Sequence, residues 1–155
     1  RASTLAKKVS TKAQEKLVAT VPVEFRCCIA VGKEVWAAER SGTVTIRNVR
    51  TGETMEQLPP PRTECFIWCM LLAPSHVWMG TEAGPILLYH RHSRGFVKEI
   101  RAHSGGVYCL AQNAARTRVY SGSNDFTIYE WDIADGKPLR LMSGHSNGVR
   151  CMCTV

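Results

Sequence analysis

The chain has no apolar stretch long enough to cross a membrane. Its longest, CFIWCMLLAP at Cys65–Pro74, falls well short of the roughly 18 residues that would predict a span, and no signal-peptide core stands near the start. No G-x-x-x-x-G-K followed by Ser or Thr occurs, so no phosphate-cradling loop is predicted. No G-x-S-x-G elbow occurs to expose a nucleophile. None of the seven cysteines, at 27, 28, 65, 69, 109, 151 and 153, forms a C-x-x-C pair. A zinc set of His145, Cys151 and Cys153 would lack a fourth ligand and the usual spacing, so no metal is predicted. Nothing reads as an enzyme or cofactor motif.

Acidic residues are nearly missing from residues 1 to 22, where Arg1, Lys7, Lys8, Lys12 and Lys16 face only Glu15. That leader holds +4 of the net charge of +7 and leaves a nearly balanced body. A nucleic-acid binder would carry its basic stripe across the body, so the leader reads as a solvated linker. Binding of nucleic acid or anionic lipid through it is the rival reading.

What is present is about one domain's worth of chain, 155 residues, enough for one core. It begins RASTL without methionine and stops inside the apolar run VRCMCTV, so a piece of a longer protein is expected. Six of the seven cysteines lie in runs rich in Phe, Ile, Val, Met and Leu, where a reduced thiol packs as a small hydrophobe. Reduced thiols predict an intracellular, cytoplasmic setting.

The dominant feature is a period of 42. Trp36, Trp78 and Tyr120 keep it, as do Val44, Ile86 and Ile128, and Leu58, Ile100 and Met142. Cys27, Cys69, Ala111 and Cys153 form a further column, with no insertion expected to break the register. Each period holds four strand signals. The most apolar are FRCCIAV, FIWCMLL, VYCLAQ and VRCMCT. EVWAAE, HVWMGT and RVYSGS follow, then TVTIRNV, PILLYHR and TIYEWDI, and last the polar ETMEQL, FVKEI and PLRLM. The gradient predicts small twisted sheets, each with a buried inner edge and an exposed outer edge.

The unit AHSGGVYCLAQNAARTRVYSGSNDFTIYEWD resembles a WD-repeat (WD40) of a β-propeller, with Ala102-His103 for the usual Gly-His and a Trp131-Asp132 close. The next unit opens with Gly144-His145. The two earlier units are degenerate, with Arg47-Asn48 and Tyr89-His90 at the Trp-Asp position and Pro61 at the His position. The resemblance implies an all-β, WD40-like propeller fragment over 23–155, built of four-stranded antiparallel blades. The repeats would run at about 23–60, 61–102 and 103–144, with the first strand of another at 145–155.

Ser121, Asp125 and His103 could be the cast of a hydrolase triad. Ser121, however, falls inside a strand rather than on an exposed elbow. In the family, the residues matching His103, Ser121, Asp125 and Trp131 form a buried hydrogen-bond chain, and the resemblance implies that structural role here.

By resemblance, one rim consists of the turns between second and third strands, carrying Arg40, Glu82 and Asn124, and of the links, carrying Arg62, Arg101, Ser104 and Ser146. These are the candidate partner-binding residues. The stiff Pro59-Pro60-Pro61-Arg62 link could offer Arg62 to an acidic or phosphorylated peptide, although a lone solvated arginine is the simpler reading. His90 and His92, two apart, would share a strand face, but without an acidic or cysteine partner they read as solvated. Propellers close with typically 4–8 blades, so the exposed edges would call for the rest of a larger propeller or for self-association.

The function implied is a non-catalytic protein–protein interaction scaffold within a larger intracellular protein. Units of the form V-W-x-G/A-x-x-x-G also resemble regulatory propellers attached to signalling kinases or inositol-phosphate phosphatases. In that case catalysis would lie outside these residues.

Overall fold

The computed structural model describes residues 24–63 and 65–154. The basic leader, where Leu5, Val9 and Leu17 suggest a short helix and LVATVPV an edge strand, lies outside them. Among the described residues twelve strands follow in order: β1 Phe25–Val31, β2 Glu34–Glu39, β3 Val44–Asn48, β4 Thr54–Leu58, β5 Ile67–Leu72, β6 His76–Thr81, β7 Ile86–His90, β8 Phe96–Ile100, β9 Val107–Gln112, β10 Arg118–Ser123, β11 Ile128–Asp132 and β12 Pro138–Met142. They form three four-stranded antiparallel meanders, β1–β4, β5–β8 and β9–β12. The three sheets are successive blades, with the first strands β1, β5 and β9 neighbouring one another.

Alternation at period two builds the core between blades. In the second blade Val77, Met79, Leu87 and Tyr89 pack with Trp36, Ala38, Val44 and Ile46 of the first blade. The residues between them, Trp78, Ile86 and Leu88, face the third blade and pack with Val107, Val119 and Trp131. Deep burial therefore falls on the middle strands β6 and β7, not on the first strands as the apolar gradient predicts. The middle strands are covered on both faces, whereas most side chains of β5 and β9 are only half-buried. In β1 the even-numbered Arg26, Cys28 and Ala30 are exposed.

The 42-residue register holds in the second to fourth strands but not in every first strand. Cys69 stands opposite Gly80 and Cys109 opposite Gly122, so β9 steps from β5 by 40. The structural column is therefore Cys27, Cys69 and Cys109, not Ala111. Two residues fewer in the link before β9 are offset by two more in the turn after it. Cys28, Cys151 and Cys153 are exposed, contrary to their apolar surroundings in sequence; for Cys28 the reason is that neighbouring strand residues face opposite ways.

Residues 149–154 form no ladder among the described residues, although a strand is predicted there. They lie beside β9, where the Cys109 thiol is 3.5 Å from the Val149 carbonyl oxygen. Extended chain without a partner strand has no ladder to define it.

Candidate functional site

The turn between second and third strands recurs with one backbone bond. The N–H groups of Arg40, Glu82 and Asn124 donate to the carbonyls of Glu24, Phe66 and Gly106, just before each first strand. The three residues thus occupy equivalent exposed places on one rim, held by the body of each blade. Their charges differ, so the rim offers different contacts from blade to blade.

The next turn position carries a signal that the sequence contained but periodicity did not raise. Gly42 and Gly84 adopt φ +87° and +105° there, while the third blade places Phe126 at φ +70°. A glycine adopts this conformation freely, whereas a bulky side chain in it is an outlier costing about 1–2 kcal/mol. Phe126 is 44% exposed, so much of this strained aromatic stands on the rim surface.

The links behave less uniformly. Arg62 is not a lone solvated cation: its guanidinium stands 3.1 Å from Glu99, and Arg101 reaches the same carboxylate at 2.7 Å. Ser104 is exposed, and its N–H donates to Asp125 at 3.0 Å. Ser146 is exposed beside Asn147 and Gly148. His90 and His92 do not share a strand face, because β7 ends at His90 and His92 lies in the turn. His90 Nδ1 accepts the Ser93 N–H at 3.1 Å. Among the described residues no group of three His, Cys, Asp or Glu side chains is placed to hold a metal ion.

Below the rim of the third blade four side chains meet. His103 Nδ1 lies 2.9 Å from Asp125 Oδ2, and its Nε2 lies 2.7 Å from Ser121 Oγ. The Trp131 indole N–H donates to Ser121 Oγ at 2.8 Å. Donor chemistry orders the chain: an indole only donates and an ionised carboxylate only accepts. The Ser121 proton therefore goes to His103 Nε2, and Nδ1–H goes to Asp125. Partial burial alone would raise the Asp125 carboxyl. Hydrogen bonds from Thr127, His103 and the Ser104 N–H outweigh it and hold the group down to about 2.

Ser121 and Trp131 are wholly buried. The Ser121 oxygen already accepts one bond and gives its proton away, so it has no access to a substrate carbonyl. At the positions one period earlier stand Met79, Ala83 and Tyr89, with Met79 and Tyr89 in the core. Apolar packing thus fills in the second blade the place that hydrogen bonds fill in the third.

A second group sits on the first strands and the segment 149–154, just inside the rim. Arg26 lies over the Trp68 ring with 4.5 Å to its centroid, Trp68 meets Tyr108 edge to face at 5.8 Å, and Arg150 lies 5.4 Å over Tyr108. Sequence periodicity missed this row because its steps are 42, 40 and 42, following the shifted register of β9.

Residues 94–132 match the family model of the WD domain, G-beta repeat. That stretch is a WD-repeat, and the chain as a whole resembles WD-repeat β-propeller proteins. Among curated relatives of this WD-repeat chain, Cell division control protein 4 of Saccharomyces cerevisiae is 32% identical over 89 residues, 57% of this chain and 11% of that protein. The SAGA complex subunit Spt8 of Schizosaccharomyces pombe is 39% identical over 75 residues, 47% of this chain and 14% of its own length.

Among solved structures, U3-55K superposes with a TM-score of 0.75 at 18% identity, over 83% of this chain and 42% of the other. A chain of the Mitotic Checkpoint Complex gives 0.68 at 19% identity, over 77% and 38%. These two likenesses carry the propeller fold alone. The WD-repeat chain thus spans less than half of each protein it resembles.

Proposed function

We propose that this chain is a non-catalytic protein-interaction scaffold, one part of a larger intracellular WD-repeat protein, with repeats at about 23–60, 61–102, 103–144 and 145–155. WD-repeat domains are generally platforms of this kind, and a rigid scaffold with recognition on its loops suits the task. One of the relatives is named as a complex subunit, which supports the same reading.

The observation that carries it is the rim. Arg40, Glu82 and Asn124 stand in equivalent exposed positions, and beside Asn124 the exposed Phe126 ring is held in a conformation that costs the fold energy. Strain kept at an exposed aromatic is the kind of feature that marks a contact site. The Ser–His–Asp set supports the same reading from the other side, since its groups are consumed by one another.

The test uses Phe126→Gly in the full-length protein, combined with Glu82→Arg. Glycine suits the backbone at 126, so the fold is retained. Proteins captured by the wild type are expected to be lost or reduced about tenfold with the variant, the size of one or two lost hot-spot contacts. An unchanged captured set would count against the rim.

A further inference from the structure

The row Arg26, Trp68, Tyr108 and Arg150 has a chemistry of its own. The segments Phe25–Val31, Ile67–Leu72, Val107–Gln112 and 149–154 together contain two charged side chains, Arg26 and Arg150, both positive. Both are exposed, and among the described residues neither has a carboxylate partner within ion-pair distance. Arg40, Arg62, Arg94, Arg101, Arg118 and Arg140 are paired, while Arg47, Arg50, Arg91 and Arg116 also lack a carboxylate partner among the described residues; Arg26 and Arg150 differ in stacking on neighbouring rings of one row.

The aromatic faces are already in use. A guanidinium covers Trp68 and another covers Tyr108, and the two rings meet edge to face. A nucleobase or an apolar side chain would have to displace an arginine to stack there. What remains open is the N–H edge of each stacked guanidinium, and stacking holds that edge in place so that little freedom is lost on binding. The Trp68 indole N–H is a further donor, buried and without a partner among the described residues.

We propose that this row binds an acidic peptide segment of a partner protein, one Asp or Glu side chain at Arg26 and a second at Arg150. Two aromatic residues separate the guanidiniums, so they suit two spaced carboxylates better than one phosphoryl group, which convergent arginines would grip. The inference rests on reading the chain as a protein-interaction platform and names the chemistry of one partner segment.

The probe is a fluorescein-labelled peptide of alternating glutamate and glycine, titrated at low salt against the full chain and read by anisotropy. Arg26→Gln with Arg150→Gln should weaken binding at least about tenfold, since each charge-assisted hydrogen bond lost is worth well over that factor when both are made. Lys33→Gln with Arg50→Gln removes the same charge at exposed turn positions away from the row and should change it less than about twofold, as screened surface charge does. The glutamine version of the peptide should not bind.

A second readout needs no variant. Trp36, Trp78 and Trp131 are fully buried, so iodide quenching of tryptophan emission reports Trp68, and bound glutamate peptide should protect it. Absence of wild-type binding, equal weakening by both double substitutions, or no protection from iodide would overturn the proposal. If that happens while the rim variant still loses its captured proteins, this inference fails alone. If the rim variant also loses nothing, the platform reading fails with it.

Discussion

Asp125 shows at the scale of one residue why a Ser–His–Asp set can hold a blade instead of doing chemistry. Its carboxylate takes bonds from Thr127, His103 and the Ser104 N–H, so the charged form is favoured in the folded state. The folded value of about 2 lies below the unfolded value near 3.9. The stabilisation is therefore fully present above about pH 5 and disappears as pH falls from about 4 through 2. Asp125→Asn is expected to cost about 2 kcal/mol at neutral pH, and the difference from wild type should shrink steadily as pH falls from about 4 through 2. Urea unfolding at a series of pH values measures this, and a cost that stays constant with pH would contradict the account. The placement of Ser121 inside a strand already argued against a catalytic triad, and the burial and mutual bonding of the four groups argue the same way.

The strand is the scale at which the sequence was most legible. EVWAAE, HVWMGT and RVYSGS coincide with β2, β6 and β10 to the residue, because turns with Gly, Ser, Asn and Asp cut them off at both ends. The first strands were less legible, since a constant step of 42 put Ala111 where the structure places Cys109, a two-residue loss in one link being offset in the following turn. Contacts between blades were illegible for another reason: they join residues about 40 to 60 apart. Arg94 is the clearest of them. It sits at φ +59° in the β7–β8 turn and reaches Glu34 of β2 at 2.5 Å and Glu56 of β4 at 2.7 Å. The periodic positions 52 and 136 are glycines, with φ +72° and +65°, so the arginine accepts backbone strain for two ion pairs across blades. Arg94→Ala should lose both pairs and keep the strain, costing roughly 1.5–3 kcal/mol. Arg94→Gly should lose the pairs but relieve the strain and cost about 1 kcal/mol less. Denaturation midpoints of the two variants decide it, and equal midpoints would mean the backbone conformation at 94 carries no cost.

At the scale of the molecule, three sheets pack through side chains that alternate between the neighbour before and the neighbour after. This stacking gives the loops of one rim a fixed spacing. Different residues at equivalent rim places make a surface with direction, able to seat one partner in one orientation. The first-strand row of arginines and aromatics lies just inside that rim, so a partner segment could cross from one to the other. The outer strands β4, β8 and β12 are instead the exposed edges of the blades, with Met55, Phe96, Val97, Leu139 and Leu141 on view.

The measurement that bears most directly on the rim as the working surface is hydrogen–deuterium exchange of the full-length protein with and without a captured partner. The account predicts that protection appears at residues 40–43, 82–84, 104–106 and 124–127. Protection confined to β4, β8 and β12, with the rim unchanged, would contradict it and make the blade edges the site of association.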